Sequence, residues 1–297
     1  MKKYIQLLIA ISAACFLSSC EDEVPIPESL KTNSKLVLNA ELKGNTQEID
    51  FNLSRSIPLY NSGKNNNADE IEIAEISLTN DGKIIPITYY EKNDNNGWYI
   101  NYQQFVVTLG QDYFLIPGKK YQLKVQTTKN EVIYGEATIP QYVPTEAKLY
   151  LDSTNDDGYY TYYTYKLEFQ DKAGENNYYL TSYFYPSQGN QNSGNYNFEE
   201  ILTDASKDGK LLITSEKGIS FRQEYYLDQN GYSVNYNLFN DIGFKIKALD
   251  YHAYTYFSIL KNYSGNDIFA EPLNMHSNVE GGLGIVCASN EQIVQIK

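Results

Sequence analysis

Cys20 is the residue in this 297-residue chain whose neighbours spell out a reaction. It closes the run Leu17-Ser18-Ser19-Cys20, behind Lys2, Lys3 and an apolar stretch from Ile5 to Phe16. That stretch is too short to cross ~30 Å of hydrocarbon as a stable helix. A basic head, a short apolar run and small residues before a cysteine make up a bacterial lipoprotein signal. Ser18 and Ser19 are small enough for a peptidase groove, and the Cys20 thiol would take a diacylglycerol before cleavage makes it the mature N-terminus. The alternative is an ordinary secretory signal cut after a small residue. Residues 1–19 are thus expected to leave as a signal peptide, taking Cys15 and sparing Cys287 as the remaining free thiol. Two or three acyl chains on one residue anchor far more firmly than a single myristoyl group.

A second reacting constellation does not emerge. His252 falls in a helical pattern and His276 in a polar stretch, each without a Ser, Cys or carboxylate spaced to make a base and its orienter. His252 reads as a surface or half-buried helix residue. The chain has no glycine-rich phosphate loop after a strand and no His-Glu metal motif. Ser153-Thr154-Asn155-Asp156-Asp157-Gly158 approaches a calcium loop, but Ser153 stands where an aspartate is needed and no closing glutamate follows. It reads as a hairpin tip. Carboxylate pairs for glycoside cleavage are set in space, and nothing in the sequence points to them. No catalytic residue, cofactor or metal ligand is therefore expected, and an enzyme is the weakest functional class.

The 29 tyrosines offer another chemistry, flat faces with a hydroxyl rim suited to stacking on sugar rings or to protein contact. Most are expected to fill strand faces where other proteins use Val or Phe. Loops are not obliged to bury aromatics, so Tyr196 and Phe198, and Tyr232 and Tyr236, are the expected contact residues.

Composition narrows the field. The formal charge is −13, and −15 once the signal with Lys2 and Lys3 is gone. Only Arg55 and Arg222 represent arginine, so nucleic-acid binding is excluded on charge and an anionic membrane surface would repel the chain. Three Cys and two His cannot build a disulfide framework or a zinc site of the usual kind. A 42% hydrophobic content belongs to a folded protein.

The elements follow from periodicity. Residues 20–34, with Glu21-Asp22-Glu23 and Val24-Pro25-Ile26-Pro27, read as a lipidated flexible tether that spans at most about 50 Å. From Lys35, apolar and polar residues alternate in Leu36–Leu38, Ile49–Leu53, Ile71–Leu78 and Tyr121–Val125. Asn80-Asp81-Gly82, Asn93 to Gly97, Pro117-Gly118 and Asn130 supply the turns, and Asn61 to Asp69 reads as an exposed, mobile loop. Residues 35–140 are predicted to form an immunoglobulin-like or transthyretin-like β-sandwich. Pro140 and Pro144 mark a boundary, and residues 145–297 read as a second, Tyr-rich β domain. Within it, Tyr163, Tyr165, Leu167 and Phe169 share one strand face. Ala253, Tyr256, Phe257 and Leu260 recur at helical spacing after Asp250, which predicts one amphipathic helix over 251–262. Gly281-Gly282-Leu283-Gly284 predicts a last strand lying close against another backbone.

The tail Phe269-Ala270-Glu271-Pro272 and Ser277 to Ile285 resembles the closing signature of a Bacteroidota lipoprotein family known as domain of unknown function 4249. Leu53-Ser54-Arg55-Ser56, Phe169-Gln170-Asp171 through Tyr179, and Thr203-Asp204 through Lys210 match it in order across nearly the whole mature chain. Val286-Cys287 departs from it, since the family more often carries an aromatic and a glycine there. The acid cluster after Cys20 resembles the export signal that takes such lipoproteins to the cell surface. The resemblance implies an outer-membrane, surface-facing lipoprotein, often encoded beside a TonB-dependent transporter, and implies no catalytic residues.

Two readings of function remain on these grounds. One is a non-catalytic binding or accessory subunit of a TonB-dependent nutrient-uptake system, with the transporter as partner and a glycan or peptide as ligand. The other is a structural surface protein, an adhesin or envelope-assembly subunit, with no small ligand.

Overall fold

Leu36, Leu38, Ala40 and Leu42 are buried along the first strand while the residues between them are not, the two-residue repeat of a strand with one face in a core. The computed structural model describes residues 34–56, 71–92, 102–156, 160–184, 199–205, 207–214, 219–224, 226–227, 233–234, 243–262 and 274–295. The strands are β1 (Leu36–Lys43), β2 (Glu48–Arg55), β3 (Ile73–Asn80), β4 (Lys83–Ile85), β5 (Ile87–Glu91), β6 (Tyr102–Leu109), β7 (Lys120–Thr127), β8 (Val132–Thr138) and β9 (Ala147–Asp156). There follow β10 (Tyr160–Gln170), β11 (Tyr178–Phe184), β12 (Glu199–Thr203), β13 (Leu211–Ile213), β14 (Ile219–Glu224), β15 (Tyr226–Leu227) and β16 (Ser233–Val234). The last are β17 (Gly243–Leu249), β18 (Val279–Glu280) and β19 (Leu283–Gln295), with the one helix among the described residues, α1 (Tyr251–Asn262), after β17. The protein is mainly β, and that helix has the predicted bounds. It is not long and apolar enough to cross a membrane.

Asp81 and Gly82, at φ 48° and 75°, close the β3–β4 hairpin in the left-handed conformation that the Asn80-Asp81-Gly82 turn needs. Two sheets then face each other. One has eight strands in the order β12-β11-β17-β19-β1-β2-β6-β5, the other five in the order β18-β8-β7-β3-β4. Between them Leu38, Leu42, Phe51, Leu53 and Val107 meet Leu78, Leu123, Val125 and Ile133 in a core. Phe51 and Phe105 stack within it at 5.2 Å. This is a β-sandwich, as predicted, but its strands come from both halves of the chain, not from residues 35–140 alone.

The Pro140–Pro144 boundary separates two stretches of chain that the larger sheet reunites. β19 lies parallel to β1, in register from Val37 opposite Leu283 to Lys43 opposite Ser289, and β17 and β11 extend the sheet beyond it. The residues from Lys35 to Ser56 and from 71 onward belong to one compact unit. From Ile285 to Asn290, β19 is buried on both faces. Val286 and Ala288 enter the sandwich core, whereas Ile285 and Cys287 meet Ala253, Tyr256 and Phe257 of α1 on the opposite side. An unbroken apolar run is what such a doubly covered strand requires, so Cys287 serves as a small apolar residue and burial pushes its thiol pKa up.

The glycines ahead of β19 fulfil the predicted close approach. A Cβ on Gly282 would stand 2.4 Å from the Leu36 carbonyl oxygen. At the same end of the sandwich, Arg55 holds Glu131 through Nη1 and Nη2 at 3.0 and 2.5 Å. The Arg55 hydrogen bonds keep the Glu131 carboxyl below its usual range.

Ser153 to Asn155 are part of β9 and pair with Thr164 to Tyr162 of β10, so this part of the segment is a strand and not a hairpin tip. Leu167 and Phe169 are buried on the shared face of β10, Phe169 packing edge-on against Tyr179 at 5.1 Å. The Asn61 to Asp69 loop and the tether lie outside the described residues.

Candidate functional site

Asp250 begins the helix because its side chain can replace a missing backbone partner. Its Oδ1 accepts the Ala253 N–H at 2.8 Å, the N-cap bond that Asp, Asn, Ser and Thr make best. Its Oδ2 is buried with no hydrogen-bond partner. Burial pushes the Asp250 pKa up to about 7, in spite of backbone hydrogen bonds that favour the charged form. The Asp250 N–H donates to the Ala288 carbonyl at 3.0 Å, which pins the start of α1 to β19 opposite Leu42.

Around this helix start the aromatic side chains form a connected row. Tyr178 of β11 stacks on Tyr254 at 4.2 Å with the planes 17° apart, and Tyr251 stands 6.2 Å from Tyr178 with its ring tilted by 58°. Tyr251 also meets the rings of His252 and His276 edge-on. The two histidines of the chain, 24 positions apart, touch through His252 Nδ1 and His276 Nε2 at 2.9 Å. Their centroids lie 5.2 Å apart with the planes only 15° apart, which is the nitrogen separation plus one ring radius on each side. The rings are therefore end to end, one donating a proton and the other accepting it. Burial, and then the neighbouring His276, hold the His252 pKa below its usual value. Each ring's partner is the other ring, a pair without a nucleophile.

Three aspartates tie the adjoining loops. Carboxylate oxygens of Asp171, Asp204 and Asp208 lie within 4.8 Å of one another, the first two residues buried. Asp171 accepts from Tyr179 Oη at 2.7 Å and from the Gly209 N–H at 2.9 Å. Asp204 accepts from the Asn177 N–H at 2.9 Å, and Asp208 from the Gly174 N–H at 2.8 Å. An all-oxygen set of this kind suits hard cations, but its oxygens already serve the loop backbones. Desolvation and the Asp171 carboxylate raise the Tyr179 pKa, so its proton stays to donate. Tyr179→Phe leaves Asp171 Oδ1 short of a donor and should cost about 1–3 kcal/mol, read as a lower urea midpoint with an unchanged slope.

Between these parts lies an open cleft of about 410 Å³, lined by Gln141, Tyr142, Asn176, Asn177, Tyr178 and Tyr251 together with the acids Glu175 and Asp250. Its walls come from the segment after β8, the loop before β11 and the start of α1. A second groove of about 340 Å³ runs between Tyr256 and Phe257 of α1 and Asn39, Glu41 and Asp50 of the sheet. Burial raises the Glu41 pKa, but Lys247, Ser289 and Lys43 outweigh it and hold the carboxyl below its usual range.

Cys20, Tyr196, Phe198, Tyr232 and Tyr236 lie outside the described residues. The aromatics that the fold does bring together, Tyr142, Tyr178, Tyr251 and Tyr254, sit on a strand, a helix and one connecting segment. The aspartate knot has only an indirect signal in the sequence, since Asp171, Asp204 and Asp208 fall in stretches that carry the family resemblance.

The chain belongs to the family described as domain of unknown function DUF4249, whose family model matches residues 21–293. No curated protein matches the chain.

Proposed function

We propose that this member of the DUF4249 family is a surface-facing outer-membrane lipoprotein, anchored through Cys20, that serves as a non-catalytic binding subunit of a TonB-dependent nutrient-uptake system. The observation that carries the reading is the open polar-aromatic cleft, walled by side chains from β11, the start of α1 and the segment after β8. Tyr178 and Tyr251 in its wall are fixed by stacking and edge contacts rather than buried in the sandwich core. An open cleft of this kind on a chain whose first twenty residues read as a lipidation signal suits a protein that holds a ligand at a membrane. A transporter in the same membrane meets such a protein at high effective concentration, so a modest interface suffices.

Tagged full-length chain, extracted in mild detergent, should bring a TonB-dependent transporter with it. Cys20→Ala should move at least nine-tenths of the protein from the membrane fraction to the soluble one. Recovery of the protein alone, with nutrient uptake unchanged in a deletion strain, would favour the structural role instead.

A further inference from the structure

We infer that the cleft beside the start of α1 is a saccharide site, taking one or two neutral pyranose rings. The inference rests on the binding role proposed above and assigns the ligand class.

The shape and the chemistry of the walls carry it. About 410 Å³ is within the range of small-ligand clefts. Tyr142, Tyr178 and Tyr251 supply aromatic surface, while Gln141, Asn176 and Asn177 supply amides. Sugar rings demand this combination, because each presents C–H faces to an aromatic ring and hydroxyls around its edge. The aromatic side is already ordered before any ligand arrives. Tyr178 is held by Tyr254, and Tyr251 by Tyr178 on one flank and the histidine pair on the other. Tyr142 is held by its hydroxyl, which donates to the Gln170 carbonyl at 3.0 Å. Held side chains lose little freedom on binding.

The amide side is set as well. Asn177 Nδ2 donates to the Lys172 and Glu175 carbonyls at 2.9 and 3.2 Å, which turns the amide one way. Its Oδ1 has no partner among the described residues and remains an acceptor for a hydroxyl. Tyr251 is 57% exposed at the margin, so its ring is surface available to a ligand.

Charge decides against other classes. The lining contains no Lys, Arg or His, and of its two acids Glu175 is already paired with Lys172 at 2.6 Å while Asp250 Oδ1 caps α1. An anionic ligand would find no cation in the lining to pair with, and a cationic one no unpaired carboxylate beyond the buried Asp250. A purely apolar ligand would strip water from three amides and give them nothing back.

The test is saturation-transfer NMR on the full-length lipidated protein in detergent, titrated with glucose, galactose, mannose, N-acetylglucosamine, cellobiose and maltose, with glucuronate and lysine as charged probes. At least one neutral sugar should saturate below 10 mM, roughly the weak end of useful recognition, and glucuronate should bind more weakly than glucose. Tyr251→Ala should weaken the best sugar at least five-fold with the thermal midpoint unchanged, and Tyr251→Phe, which keeps the ring face, should restore it. Saturation by none of the six sugars, preference for lysine or glucuronate, or an affinity that Tyr251→Ala leaves unchanged would overturn the assignment. A transporter that co-purifies with a protein binding no sugar would sink the saccharide site alone. Sugar binding by a protein that extracts without a transporter would sink the uptake role alone.

Discussion

Gly284→Ala is expected to abolish the native fold, with a loss above about 4 kcal/mol, the range reserved for the gravest single substitutions. Gly284 has φ 116°, a conformation that side chains rarely adopt. An added Cβ would lie 2.1 Å from the Leu38 carbonyl oxygen and 2.8 Å from its carbon. Those are backbone atoms of β1, whose side chains at Leu36, Leu38 and Leu42 are buried in the sandwich core. Neither β1 nor β19 can retreat without opening that core. Gly281→Ala should be comparably severe, since its Cβ would fall 2.0 Å from the Val132 carbonyl oxygen. Gly82→Ala is the matched control. It shares the positive φ, at 75°, but has nothing within 4 Å, so backbone strain of about 1 kcal/mol is all it should cost. Circular dichroism and urea titration of the three variants should show two collapsed proteins and one folded one. A folded Gly284→Ala chain of near wild-type midpoint would contradict the close approach of β19 to β1.

Stability should fall as pH rises from about 4 to 7, through Asp250. In the unfolded chain this carboxyl loses its proton near 3.8, whereas in the fold burial holds it to about 7. Between those values the native state carries a proton that the unfolded state has released, so each step up in pH favours unfolding until the native group ionises too. The difference corresponds to on the order of 2–4 kcal/mol, fully present below pH 4 and gone above about 7. His252 pulls the other way near pH 6, because its pKa is lower folded than unfolded and its contribution grows with pH. A comparison with Asp250→Asn isolates the carboxyl. The amide keeps an oxygen for the Ala253 N–H and cannot ionise, so this variant should gain on wild type by that amount between pH 4.5 and 8. Parallel stability profiles for the two proteins would show that Asp250 does not hold its proton in the fold.

The strands were legible where one face meets a core and the other meets water, as in β1, β2 and β7, because burial on one side forces alternation into the sequence. The helix was legible at both bounds, since Asp250 caps it and Ala253, Tyr256 and Phe257 keep its period. Its stripe was misjudged at Leu260, which is 43% exposed, while Tyr254 takes a place against the sheet through its stack on Tyr178. The glycines at the start of β19 announce a close approach but not that β1 is the strand approached, because residues about 250 positions apart carry no turn or spacing that pairs them. The same reason hid the meeting of His252 with His276 and the knot of Asp171, Asp204 and Asp208. Tyrosines were sought as contact residues in loops, where exposure is cheap, yet the described cleft draws Tyr178 from a strand and Tyr251 from a helix. Regular elements fix an aromatic face more rigidly than a loop does, and sequence composition does not reveal that preference.

The clasp between the first and last strands also orders the protein's folding in time. A chain that emerges N-terminus first exposes β1 early, and β2 can pair with it as a hairpin partner at once. The other edge of β1 stays open until Leu283 to Ser289 arrive, after nearly the whole chain has been delivered. Contacts between such distant residues form slowly, and an unfilled strand edge in the meantime invites association with other chains. The energetics of β19 therefore bear on biogenesis as much as on stability. A chain built this way gains from whatever shields β1 until its final strand is released.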